Sequence, residues 1–93
     1  MKFLVQWNGP PAAQQPAIER FLKTRGLPPD NIKLLGRWHS IGDLSGCAIV
    51  ESDDTAAMTA WMIEWGDVFS FKVAPAVTDE ELGAALMAAQ QQK

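Results

Sequence analysis

The chain has 93 residues, room for one domain that buries only about 60–65% of its unfolded surface, so its stability calls for a disulfide, a metal or a second subunit. Cys47 is the only cysteine and His39 the only histidine, which excludes an internal disulfide and a closed four-ligand zinc site built from Cys and His within one chain. A net charge of −3 without a basic stretch lacks the footprint of a nucleic-acid binder, while 47% hydrophobic and 20% charged residues are ordinary globular values.

Residues 2–7 predict a strand, with Phe3, Val5 and Trp7 on one face and Leu4 and Gln6 on the other. Asn8-Gly9-Pro10-Pro11 ends it, because proline removes a ladder donor. Ile18, Phe21, Leu22 and Arg25 follow helical spacing, with Pro16 in the first turn and Gly26 suited to the position after the last turn. Leu27-Pro28-Pro29-Asp30 is a stiff connector. Residues 32–41 and 46–52 predict two strands joined by a loop of hairpin length, hence antiparallel neighbours.

Ser52 or Asp53 is expected to cap a second helix, on which Met58, Trp61, Met62 and Trp65 form one stripe before Gly66 ends it. Residues 68–74 alternate as a half-buried strand, with Phe69, Phe71 and Val73 on one face and Pro75 marking a sheet edge. Thr78 and Glu81 form a capping box that opens a last helix, with a stripe of Leu82, Ala85, Leu86 and Ala89. Residues 90–93 are expected to be a frayed tail.

The order β, α, β, β, α, β, α predicts an α+β fold: a ferredoxin-like βαββαβ antiparallel sheet with an additional C-terminal helix, in one domain over residues 1–93. Right-handed crossovers place the first and third strands centrally and both crossover helices on one sheet face. The third strand is nevertheless apolar on both sides, with Cys47 and Ile49 against Ala48 and Val50. A second copy packed on the open face by a two-fold contact accounts for this, so a homodimer is expected. The opening residues carry one charge and an apolar run that Gln6 and Asn8 interrupt. No export signal and no membrane span is therefore expected, and the cytoplasm is the expected compartment.

Gly36-Arg37-Trp38-His39 is the most distinctive tetrapeptide. Alternation sets Arg37 and His39 on one face and Trp38 on the other. A cation and an imidazole two residues apart can hold an anionic or carbonyl group, with His39 as acid, base or donor. Equally, His39 can pack on an aromatic while Arg37 pairs with a surface carboxylate. Trp7, Trp61 and Trp65 either fill the core or line an aromatic pocket between sheet and helices, with Glu51 or Glu64 as acceptors for indole N–H groups. Glu51 can also meet Arg37 or His39 across the hairpin, in a register the sequence leaves open. Cys47 reads as a small hydrophobe, and Asp53, Asp54 and Asp67 as caps and turns. Phosphate loops, paired-Cys metal motifs, nucleophile elbows and RNA-binding aromatic patterns are all absent from the sequence.

With Lys2-Phe3-Leu4-Val5, Trp7, Arg20-Phe21-Leu22, Leu34-Leu35-Gly36-Arg37-Trp38-His39, Ala48-Ile49-Val50-Glu51, Trp61, Glu64-Trp65 and Pro75, the chain resembles a bacterial family of small proteins of unknown function. That family is similar to the dimeric α+β barrel group, which includes cofactor-free monooxygenases, muconolactone isomerase-like enzymes and stress-responsive barrel proteins. The resemblance implies a dimer and a pocket, and no particular reaction. Ala76 after Pro75 and the Gln-rich end depart from it.

Three functions are therefore set against one another. One is a homodimeric small-molecule-binding domain with a pocket lined by Trp7, Arg37, His39, Glu51, Trp61 and Trp65. Another is a small cofactor-free enzyme, a monooxygenase, isomerase or lyase, with His39 as acid or base and Arg37 steadying negative charge. The last is a structural dimer or adaptor. None requires a metal, a cofactor, nucleic acid or a membrane.

Overall fold

The computed structural model describes residues 1–92, so Lys93, at the end of the expected tail, lies outside the described residues. Strand β1 (Lys2–Gly9) leads through a short 3-10 turn (Pro11–Ala13) into α1 (Gln14–Thr24). The hairpin of β2 (Lys33–His39) and β3 (Leu44–Glu51) follows, then α2 (Thr55–Glu64), β4 (Ser70–Ala76) and α3 (Asp79–Gln91). The sheet order is β2-β3-β1-β4 with antiparallel neighbours throughout, so the first and third strands are central as right-handed crossovers require. The fold is α+β and ferredoxin-like with an added C-terminal helix. Among the described residues, no helix is long and apolar enough to cross a membrane.

Register fixes which side chain faces what. Val5 lies opposite Ala48 and Val73, and Ala48 opposite Arg37, so these four share one face. That face carries the core, in which Val5, Ala48 and Val50 join Ala17 of α1 and Met58 and Trp61 of α2. The other face carries Leu4, Cys47, Ile49, Ala74 and Trp38, with neither α1 nor α2 over it.

One irregularity decides the placement of the Gly-Arg-Trp-His segment. Leu34 pairs with Val50, but Gly36, two residues on, pairs with Ile49, the very next residue on β3. Leu35 is the extra residue of a β-bulge. Without it, period two would carry Arg37 and His39 to the open face and Trp38 to the core. Gly36 then makes room on the open side: a Cβ there would stand 2.5 Å from the Trp38 ring, which lies along the strand over the glycine.

Several ends differ from their sequence expectation. The α2 cap is Asp54, whose Oδ1 accepts from the Ala57 N–H at 2.9 Å. Ser52 instead donates to the Asn31 carbonyl at 2.8 Å, and Asp53 takes the N-terminal ammonium at 2.9 Å. Arg25 as well as Gly26 turns left-handed after α1, both at φ 60°. β4 runs on through Pro75, tolerated because β4 is an edge. The capping box of Thr78 and Glu81 forms as expected, and α3 continues through Gln91 rather than fraying at residue 90.

Helix α3 has an apolar stripe but no buried residue; Leu86 is 55% exposed. The chain is correspondingly long, with a greatest extent of 53 Å and a radius of gyration of 15.8 Å, against about 12 Å for a compact domain of this length.

An ion pair clamps the two core helices. Arg20 of α1 grips Asp67, just past α2, through two hydrogen bonds of 2.8 and 2.7 Å, and also donates to the Glu64 carbonyl at 2.9 Å. Its guanidinium lies 5.2 Å from the Trp65 ring centroid. Arg20 holds the Asp67 carboxyl below its ordinary pKa of 3.8. A depressed carboxylate contributes stability above the unfolded pKa, and loses it as pH falls through the folded value. Arg20→Ala should therefore lower the urea midpoint at neutral pH, and the gap to the parent chain should narrow on acidification below 3.8. An undiminished gap in strong acid would show that the pair is not what Arg20 contributes.

Candidate functional site

Between the covered sheet face and the two helices lies a cavity of about 420 Å³, within the roughly 300–1,000 Å³ usual for small-molecule sites. Its floor is the sheet, where Val5 and Trp7 lie beside Ala48. A glycine opens that floor. A Cβ on Gly46 would stand 2.5 Å from the Trp7 ring and 2.5 Å from the Trp38 carbonyl oxygen, so the indole lies where β3 carries no side chain.

The walls are aromatic. Phe69 stacks on Trp65 with centroids 5.9 Å apart and tilts toward Trp7 at 6.2 Å. Trp61 and Met62 of α2 and Phe21 of α1 complete the lining. The expected stripe on α1 is only partly core. Ala17 is buried and Phe21 half-buried, whereas Ile18 is 39% and Leu22 75% exposed. Both of the latter border the cavity, as does the fully exposed Ile41 of the β2–β3 loop, so the mouth has an apolar rim.

His39 sits at that mouth. Its ring meets Trp7 edge-on at 5.8 Å and Phe21 edge-on at 5.6 Å. It is exposed, and among the described residues it has no hydrogen-bond partner. The aromatic packing and the site position thus coexist.

Arg37 is the only Lys or Arg among the described residues lining the cavity. Its Nη1 donates to the Gly26 carbonyl at 2.7 Å and its Nη2 to the Arg25 carbonyl at 3.1 Å. These carbonyls belong to the two left-handed residues that follow α1. The guanidinium lies 5.1 Å from the Phe21 centroid, and burial pulls its pKa below the usual arginine value. Among the described residues no carboxylate comes within ion-pair distance, so the expected surface partner is replaced by backbone. The one carboxylate on the lining, Asp43, accepts from the Ser45 hydroxyl, and Ser45 with Ser40 holds its carboxyl below the usual range.

Trp7, Arg37, His39, Trp61 and Trp65 are thus brought together. Glu51 is not. It lies opposite Lys2 and Lys33 on the open face, with Lys2 Nζ 3.6 Å away, and strand parity keeps it from Arg37 and His39. Neither it nor the exposed Glu64 serves the Trp61 indole, whose buried Nε1–H has no acceptor among the described residues. Cys47 is half-buried on the open face. Among the described residues no group of three His, Cys, Asp or Glu side chains is placed to hold a metal ion.

Sequence reasoning missed Phe21, Phe69 and Phe71 as lining. Their positions on the predicted helical stripe and alternating strand face were the available signal. Asp43 and Ile41 gave none, because the loop conformation alone brings them to the mouth.

No curated protein matches the chain. The model of the family described as Domain of unknown function (DUF3303) matches residues 1–90, and the chain belongs to that family.

Proposed function

We propose that this chain is a small-molecule-binding domain, acting as a homodimer, whose ligand occupies the cavity between sheet and helices. The observation that carries the reading is the cavity itself. About 420 Å³ stays open behind an apolar rim, with tryptophan or phenylalanine on β1, α1 and α2, a concave and mostly apolar site of the kind that small molecules occupy. The enzyme reading is favoured by one observation, an exposed imidazole without a hydrogen-bond partner beside an anchored cation. Among the described residues, however, nothing orients that imidazole as a catalytic base is normally oriented, and binding requires no such partner.

Exposed area supports the dimer. A folded chain of 10.2 kDa is expected to expose about 5,300 Å², whereas this one exposes 6683 Å². The excess is larger than the roughly 800 Å² that each partner buries in an interface of standard size. Among the exposed apolar side chains are Trp38 of the open sheet face, at 61%, and Met87 of α3, at 65%.

An uncharged bicyclic aromatic such as 2-naphthamide tests the binding reading. A saturating ligand stabilises the native state by mass action, by about 2.7 kcal/mol at a hundred times Kd. The thermal midpoint should rise with its concentration. A midpoint indifferent to aromatic probes up to their solubility limits would end the reading.

A further inference from the structure

The cavity's charge arrangement narrows its ligand, on the footing that the cavity binds one. Among the described residues, three cations are half-buried. Lys2 has Glu51 and Glu81 at 3.6 and 3.7 Å. Arg20 has Asp67 at 2.7 Å. Arg37, the one on the cavity, has only two neutral carbonyls. A partly desolvated cation is costly unless an anion offsets it.

Arg37 is also held ready for such an anion. A guanidinium has five N–H donors. Two hydrogen bonds to α1 and the Phe21 ring fix its plane and leave donors unused. A fixed guanidinium suits a carboxylate, which it can meet with two parallel hydrogen bonds. Asp43 borders the same cavity but is engaged by Ser45 and Ser40, and it does not pair with Arg37. A second idle donor, the Trp61 Nε1–H, belongs to an indole of the same lining.

We propose that the ligand is an aromatic carboxylic acid, its carboxylate received by Arg37 and its ring lodged among Trp7, Phe21 and Trp65. Both the unpaired cation and the aromatic lining are then used by one molecule.

The test compares 2-naphthoate with its neutral isostere 2-naphthamide, by calorimetric titration of the unaltered chain at neutral pH. The acid should bind about ten- to a hundredfold more tightly, the range set by a hydrogen bond between charged groups. Arg37→Met should remove that advantage, bringing the ratio of the two affinities to about one. Because Arg37 also binds the end of α1, the ligand pair on the parent chain decides the matter even where the variant fails to fold. Equal affinity for acid and amide would overturn the acid assignment and leave the cavity reading standing. Binding of neither would overturn both. An acid preference that survives in a folded Arg37→Met chain would remove Arg37 from the site.

Discussion

Truncating Trp61 to alanine should destabilise the chain by about 3–5 kcal/mol, the usual cost of emptying a buried aromatic position. That is a large share of the roughly 5–15 kcal/mol available to a small domain. Trp61 is 7% exposed and stands in one cluster with Val5, Ala48, Val50 and Met58. Helix propensity does not soften the loss by more than a few tenths, although alanine is the best helix former. Trp61→Phe gives the contrast. It keeps most of the buried ring and removes an Nε1–H that has no acceptor among the described residues, relieving a penalty of about 1–3 kcal/mol. It should cost far less than the alanine change. Urea denaturation with unchanged slope measures both. Equal losses for the two variants would mean that the N–H has a partner in solution and that the wall is built differently.

Trp38→Asp should turn a dimer into a monomer while leaving each chain folded. Trp38 is 61% exposed and lies on the face opposite the cavity, so no core contact is lost with it. Placed in a two-fold interface, a carboxylate would be buried twice, once in each copy. Light scattering after size exclusion reads the mass, and circular dichroism reads the fold. A parent chain that is monomeric at micromolar concentration, or an unaffected variant dimer, would remove the open face as an interface.

Much of this was legible in the sequence, for identifiable reasons. Met58, Trp61 and Trp65 at helical spacing, Phe71 at strand spacing, and the Thr78–Glu81 box are local signals, and local physics decides them. The topology followed from element order and crossover handedness. What stayed hidden depends on pairing. The bulge at Leu35 sets the parity of Arg37 and His39, and nothing in the alternation of neighbouring residues reveals it. The same parity separates Glu51 from both. Arg37's bonds to the Gly26 and Arg25 carbonyls join segments 11 and 12 residues apart through a left-handed turn that also includes Arg25. Likewise Asp67 reads as a turn residue until α1 brings Arg20 to it across 47 positions.

The four tryptophans carry their own control for the central claim, since Trp7, Trp61 and Trp65 line the cavity and Trp38 lies behind the sheet. A proton–nitrogen correlation spectrum resolves four indole N–H signals, and titration with 2-naphthamide should displace the three cavity signals while the Trp38 signal stays in place. Displacement of Trp38 alone, or of none of the four while the probe is at saturation, would contradict a ligand site between sheet and helices.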